Sequence, residues 1–422
     1  MRSVRLMIPL LLMLALTGCW DKLELEEQAY TVVLGIDKAN HHMVEVTFQI
    51  ANPQVGSSDI GNAPNEPPSD TVTFTAPDVL AAKELANSVI TRKISFAHLR
   101  TLVVSEEFAR SDFFHPIISA AIRDPEMRRE VNLIVSKEKA SQFITQNKPR
   151  METRPHKYFA FMQERWRDTG MVPYSTLNRY FTRLQEGTVF LAIYATTEQV
   201  PSAPARKEDR YVAGEVPQEN GDPVQLMGSA VFKDGRMIGR LTGEETRYAL
   251  FLRRKSLTHS FITTFPDPLD NRYRVSIRLV KNGNTKVKVR ADKSPTTVQV
   301  VVPIGVQLLS ATSFYDYALD KDKQERLQQR IREILERDAM RLVDKAQKTI
   351  KGDPFLWNLN ARTEFWTRKA YEQYDWGRQF LNADVSVSFD LKLESFGKQL
   401  VSPRVGGDDT SVNDEKRKSG KQ

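Results

Sequence analysis

The sequence predicts an α+β fold, with mixed β-sheets flanked by helices, two lobes open to a third subdivision, and a long helix in the C-terminal half. Three observations predict it. In the first half, β-branched runs and amphipathic stretches follow one another as β-β-β-α-β-α-β, the order of a mixed sheet covered by helices. In the second half, Asp234-Gly235 and Asn282-Gly283 each separate two apolar runs. From Lys321 to about Ile350, one apolar stripe crosses a segment otherwise dense in Glu, Arg, Gln and Lys.

AYTVVLGI and MVEVTFQIA read as strands, and the polar stretch Asp37–His42 between them predicts a hairpin. Gln54–Ser69 is rich in Pro, Gly, Ser and Asn and reads as a long surface loop. TVTFTA alternates as a third strand. Asp78 is placed to cap a helix whose stripe includes Val79, Ala82, Leu85, Ala86 and Val89. LRTLVVS is a strand, Asp112 to about Met127 a helix, and EVNLIVS a strand again. The aromatic, Arg-rich stretch from about Ala140 to Phe190 reads as helices leaning on that sheet.

The stretch from about Thr196 to Val224 carries Pro201, Pro204, Pro217, Gly221 and Pro223, and is the predicted domain boundary. Beyond it, LMGSAVFKDGRMIGRLT predicts a hairpin about Asp234-Gly235, followed by a helix over Glu244 to Phe251. YRVSIRLVKNGNTKVKVRA predicts a second hairpin about Asn282-Gly283. Arg272, Arg274, Arg278, Lys281, Lys286, Lys288 and Arg290 take its outward positions. Such a face could meet lipid or a partner, but a solvated sheet face with Lys guarding an edge is the simpler account. TTVQVVVPIGVQLL adds one or two strands, Gly352 is placed to stop the long helix, and DVSVSFDLKLESFG is a final strand. The 422 residues thus divide into a leader (1–18), an N-terminal α+β unit (19–195), a linker (196–224), a C-terminal α+β unit (225–398) and a polar tail (399–422) expected to be disordered.

The leader carries a second kind of information. Arg2 and Arg5 precede the apolar run Leu6–Leu16, too short for the roughly 20 residues of a spanning helix but suited to a signal peptide. Leu16-Thr17-Gly18-Cys19 looks like a bacterial lipobox, in which Cys19 receives S-diacylglycerol, the leader is cut before it, and the new amine is acylated. Cys19 is the only cysteine, so an internal disulfide, zinc ribbons, paired-cysteine redox motifs and thiol-ligated iron–sulfur clusters are excluded. Two or three long acyl chains on one residue make a durable anchor, since each buried methylene contributes about 0.8 kcal/mol. The formal charge of +8 falls to +6 without Arg2 and Arg5, and the positive charge is spread along the chain. That pattern suits a surface near anionic headgroups and argues against nucleic acid as a partner.

Catalytic and metal signatures are absent from the sequence. His41, His42, His98, His115, His156 and His259 form no zinc-helix pair, and no nucleophile elbow, Walker loop or dinucleotide fingerprint occurs. Asp37 and Asp353 are single carboxylates at turns. Trp357, Trp366 and Trp376 are spaced as packing residues. No catalytic residue, metal or cofactor is therefore expected.

Cys19-Trp20-Asp21 after the lipobox, then Val33 to Lys38 (VLGIDK), resembles the opening of the Ger(x)C family, the C-subunit lipoproteins of bacterial spore germinant receptors. Arg92–Ala109 (RKISFAHLRTLVVSEEFA), Ala121-Ile122-Arg123, EVNLIVSKEKA, Met227–Arg247, Lys345–Trp357, Trp366 and VSVSFDLKLESFG continue the resemblance in order, over about residues 17 to 397. Phe96-Ala97-His98 departs from the family's usual phe-gly-his, and Pro354-Phe355-Leu356-Trp357 replaces a more glycine-rich turn. The resemblance implies an α+β, non-enzymatic subunit, lipid-anchored to the outer face of the cell membrane (the spore inner membrane). It would act beside two integral-membrane receptor subunits, one with large soluble domains and one transporter-like. Cys19 is the single functional residue it carries over. The competing readings are a substrate-binding lipoprotein of an importer and, more remotely, an exported hydrolase.

Overall fold

The structure, a computed structural model, describes residues 27–52, 67–202, 206–313 and 315–396. The leader, Cys19, most of the Gln54–Ser69 loop and the 399–422 tail lie outside the described residues.

The first sheet has nine strands in the order β3-β2-β1-β5-β6-β7-β8-β9, with β4 beside β1. These are β1 (Gln28–Lys38), β2 (Val44–Ala51), β3 (Ser69–Ala76), β4 (Lys93–Ser95), β5 (Thr101–Ser105), β6 (Asn132–Ser136), β7 (Phe190–Thr196), β8 (Gln225–Lys233) and β9 (Arg236–Leu241). β1 pairs antiparallel with β2 across the expected turn, where His41 and His42 take positive φ of 55° and 57°. β1, β5, β6 and β7 run parallel, which explains why β5 and β7 are buried throughout: helices cover both faces. Leu34, Leu102, Leu133 and Phe190 pack with the Val79–Val89, Phe114–Ala121 and Leu177–Gln185 helices. Val33, Val103 and Ile134 face Phe143, Tyr158 and Phe159 on the other side.

The helix expected from Asp112 to Met127 ends at Ala121. Pro125 disfavours the helical conformation at Asp124, and the Asp124 side chain instead accepts from Glu126 N at 2.8 Å and from Lys83 Nζ at 2.8 Å.

The second sheet comprises β10 (Ser260–Pro266), β11 (Arg274–Lys281), β12 (Lys286–Arg290), β13 (Thr297–Ala311) and β14 (Asp384–Ser395). Here one expectation fails. β11 and β12 do not pair across Asn282-Gly283. Both run antiparallel to β13, β11 against residues 304–311 and β12 against residues 297–301. β14 lies parallel along β13 from Thr297 to Gln307, so β11 and β12 lie end to end on the opposite edge. Pro303 is the reason. It has no N–H to offer the ladder and lies between the stretches paired with β11 and β12, where Asn282 N donates to Pro303 O at 3.1 Å and Gly283 takes φ 150°. TTVQVVVPIGVQLL is therefore one strand, the centre of the sheet.

The long helix (Lys321–Lys345) continues as a π-turn over Ala346–Ile350. Lys351, not Gly352, takes the left-handed position that ends it, at φ 54°. Gly352 serves packing instead: a Cβ there would meet Val189 Cγ2 at 2.7 Å.

The hairpin β8–β9, placed by sequence with the C-terminal unit, completes the first sheet by pairing with β7. The sheets divide after Leu241 and not within 196–224. Val189, Leu191, Val231 and Leu241 of the first unit also share one apolar core with Val275, Ile277, Val300, Leu335 and Trp357 of the second unit. The segment before β8 does not read as a hinge, for Tyr211, Val212 and Ala213 are buried in the first unit's core.

Candidate functional site

One helix lies across the junction of the two sheets and organises both of its ends. The junction helix (Gly243–Phe251) opens with a capping box: Thr242 Oγ1 accepts from Glu245 N at 3.2 Å, and Glu245 Oε2 accepts from Thr242 N at 2.9 Å. All its residues except Glu245 are buried, yet they include Glu244 and Arg247. A helix buried on every side must find partners for such charges.

The partners come from 207–210, inside the expected linker. Arg247 Nη1 donates to Asp209 Oδ2 at 2.8 Å, its Nε donates to Thr169 O at 2.8 Å, and its guanidinium lies 4.3 Å from the Phe261 ring centre. Glu244 accepts from Lys207 Nζ and Arg210 Nε, each at 2.8 Å. Arg210 reaches on to Asp338 of the long helix at 3.3 Å, and Lys345 closes the set on Glu245 at 2.8 Å. Burial pulls the Arg247 guanidinium below its ordinary value while Asp209 opposes the shift, as expected for a pair sealed from water. This clasp ties first sheet, crossing segment and second unit together.

At its other end the junction helix exposes carbonyls that have no partner within it. The second unit supplies donors: Lys281 Nζ to Phe251 O (3.1 Å) and Arg253 O (3.0 Å), Thr285 Oγ1 to Phe251 O (2.7 Å), and Trp357 Nε1 to Leu252 O (3.0 Å). Lys281, assigned by sequence to the outward face, thus points inward on the same side as Ile277 and Leu279. Burial, and secondarily Arg253, push its amine down to about 8. The unfolded chain, with an ordinary lysine near 10.4, binds more protons between these values, so stability from this group rises with pH through that window. Lys281→Met is expected to flatten the rise in urea midpoint between about pH 8 and about pH 10; equal slopes in both proteins would refute the assignment.

Beyond these carbonyls lies a cavity of about 440 Å³, between the first unit (Tyr174, Arg179) and the second (Leu250, Arg253 to Thr258, Leu356, Leu359, Asn360). Arg253 is anchored by two bonds from Nε and Nη2 to Pro354 O, at 3.2 and 3.0 Å. Burial, with the nearby Arg183 and Arg179, pulls its guanidinium down to about 9.

The residues singled out by sequence do not converge. Asp37 is buried and caps the Ala140–Gln146 helix, accepting from Ala140 N at 2.7 Å and Ser141 N at 3.0 Å. Asp353 is a structural knot that accepts from Phe355 N, Asn358 N and Trp376 Nε1. His98 packs edge-on against Tyr30, and His115 Nδ1 lies 3.1 Å from Tyr180 Oη. Trp357 and Trp376 are core residues, whereas Trp366 is fully exposed. Among the described residues no group of His, Cys, Asp and Glu could hold a metal ion, and no helix is long and apolar enough to cross a membrane. Cys19 lies outside the described residues. The clasp residues Asp209, Glu244 and Arg247 escaped the sequence reading. Their signal was a GEETR helix start beside an apolar run, matched by the charged KEDR stretch upstream.

The fold is shared with a solved structure, that of the GerBC protein, with a TM-score of 0.53 and 18% identity, over 85% of this chain and 96% of that one. Residues 21–196 match the model of the spore germination protein N-terminal domain, and residues 227–397 that of the spore germination B3/GerAC-like C-terminal domain. The chain belongs to this family of germinant receptor C subunits, which take part in spore germination. In Bacillus subtilis (strain 168), spore germination protein B3 is 22% identical over 391 residues, 92% of this chain and 96% of that protein. Spore germination protein KC is 30% identical over 138 residues, 32% of this chain and 34% of that protein.

Proposed function

We propose that the chain is the lipid-anchored, non-catalytic C subunit of a germinant receptor, held by Cys19 to the outer face of the spore inner membrane. There it would work with two integral-membrane subunits in the response to nutrients. The observation that carries this reading is the lipobox ending in Cys19 directly ahead of a body matched by both family domains. In this reading residues 1–18 are removed as a leader, and 399–422 form a polar tail. The ionic residues at the junction are spent on packing, which favours a scaffold over a catalyst. The buried clasp across 207–210 likewise weighs against an importer's binding protein, which needs a hinge between its lobes.

Cys19→Ala is expected to move the protein from the spore membrane fraction to the soluble fraction and to abolish the nutrient response of its receptor, while vegetative growth is unchanged. Retention of the variant in a carbonate-washed membrane pellet would overturn the anchor. A normal nutrient response in a full deletion strain cleared of paralogues would overturn the receptor role.

A further inference from the structure

The cavity at the C-terminal end of the junction helix has a charge imbalance that the rest of the junction lacks. Four cations line it: Arg179, Arg253, Arg254 and Lys255. No carboxylate lines it, and none of the four forms an ion pair among the described residues, although the clasp at the other end of the same helix pairs Lys207, Arg210 and Arg247 with acids. Arg179 instead lies over the Tyr174 ring at 4.5 Å, and Arg253 gives two of its five donors to Pro354 O. The helix carbonyls that would repel an anion are already occupied by Lys281, Thr285 and Trp357.

The remaining wall is apolar: Leu250, Leu257, Leu356 and Leu359. Leu257 and Leu359 are exposed at the rim. Leu356 holds a left-handed backbone at φ 63°, a strained conformation for a branched side chain and one that recurs where a structure builds a ligand contact. The volume falls within the range of small-molecule sites, which combine apolar walls with a few fixed polar groups.

We propose that this cavity binds a small anion with an apolar body, a carboxylate or phosphate on an alkyl or aryl frame, and that it discriminates against zwitterions. The discrimination follows from the lining. An ammonium group brought in with the anion would meet four cations and no carboxylate. Burial, and after it the neighbouring Arg183, already pull Arg179 and Arg253 below their ordinary values, a cost that a bound anion would relieve.

The test is calorimetric titration of residues 20–422, which contain all three apolar cores of the described structure. The probes are octanoate and octyl phosphate, with octylamine and octanol as controls, and 4-methylpentanoate against leucine as a pair differing by the ammonium group. The anions are expected to bind at least about tenfold tighter than the controls, and 4-methylpentanoate at least about tenfold tighter than leucine, each decade being 1.4 kcal/mol. Arg254→Glu with Lys255→Glu changes two exposed side chains and is expected to lower anion affinity at least about tenfold with the melting temperature unmoved. Leu359→Asp is expected to weaken the anions as well. Anions binding no tighter than octanol, leucine binding as well as 4-methylpentanoate, or a charge-reversed variant that binds unchanged would each overturn the proposal. Displacement of octanoate by phosphatidylglycerol vesicles, with phosphatidylcholine vesicles as blank, would support it with a lipid headgroup as the source. Binding of the free anions without such displacement would support it with a soluble one.

Discussion

Arg247→Leu is expected to destabilise the folded chain by about 3–5 kcal/mol, a large part of the stability of a typical domain. Arg247 is 3% exposed and Asp209 1%. Without the guanidinium, the Asp209 carboxylate keeps, among the described residues, Lys207 at 3.3 Å and the Thr263 hydroxyl at 3.4 Å, and Thr169 O loses the donor at 2.8 Å. The desolvation of the carboxylate remains while the attraction that offset it is gone, so the penalty is set by the orphaned charge and not by the net worth of the pair. Two controls follow. Adding Asp209→Asn to Arg247→Leu should recover part of the loss, because no uncompensated charge is then buried. Arg247→Lys keeps the charge but cannot reach both Asp209 and Thr169 in fork geometry, and should fall between wild type and Leu. Urea unfolding reads all three. A loss below about 1 kcal/mol in the single Leu variant would mean that water reaches the pair and that the clasp is a surface feature.

Trp357→Ala is expected to cost a similar amount, about 3–5 kcal/mol, by a different route. Trp357 is fully buried, stacked on Phe355 at 4.4 Å between ring centres, edge-on to Phe380 at 6.1 Å, and bonded through Nε1 to Leu252 O at 3.0 Å. Truncation opens a cavity in the core shared by both units and strips a carbonyl at the end of the junction helix. Trp357→Phe separates the two contributions. It keeps most of the packing and loses the donor, so it should cost about 1–3 kcal/mol, the desolvation penalty of one unmade bond. A Phe variant as damaged as Ala would show that ring size decides the effect, and a Phe variant equal to wild type would show that Leu252 O finds another donor.

Much of the fold was legible because the signals were local. The Asp234-Gly235 turn appears as read, with φ of 49° and 84°, both positive as a tight hairpin turn requires. Asp78 caps its helix through Ala81 N at 2.8 Å, and the stripe through Leu327, Ile331, Leu335 and Leu342 is buried as the periodicity requires. Asn282-Gly283 carried the same local signal and misled, since its partner was chosen by Pro303, some twenty residues on. Lys281 was assigned to the surface by its residue type, although strict alternation from Val275, Ile277 and Leu279 already placed it inside. The candidate site was the least legible part. Its residues come from 174–179, 250–258 and 356–360, and no spacing rule links segments so far apart in the chain.

By itself, the sequence determined most of the elements, a lipobox-like motif around its single cysteine, and the family resemblance, because periodicity, turn chemistry and short motifs are written within a few residues of one another. Only the tertiary structure decided that β8 and β9 complete the first sheet, that the two units share one core, and that KEDR meets GEETR and Asp338 in a buried clasp. It also decided that four cations surround one apolar cavity. The physical reason is the same in each case: buried charges and strand edges must be satisfied, and the folded chain satisfies them from any distance in sequence.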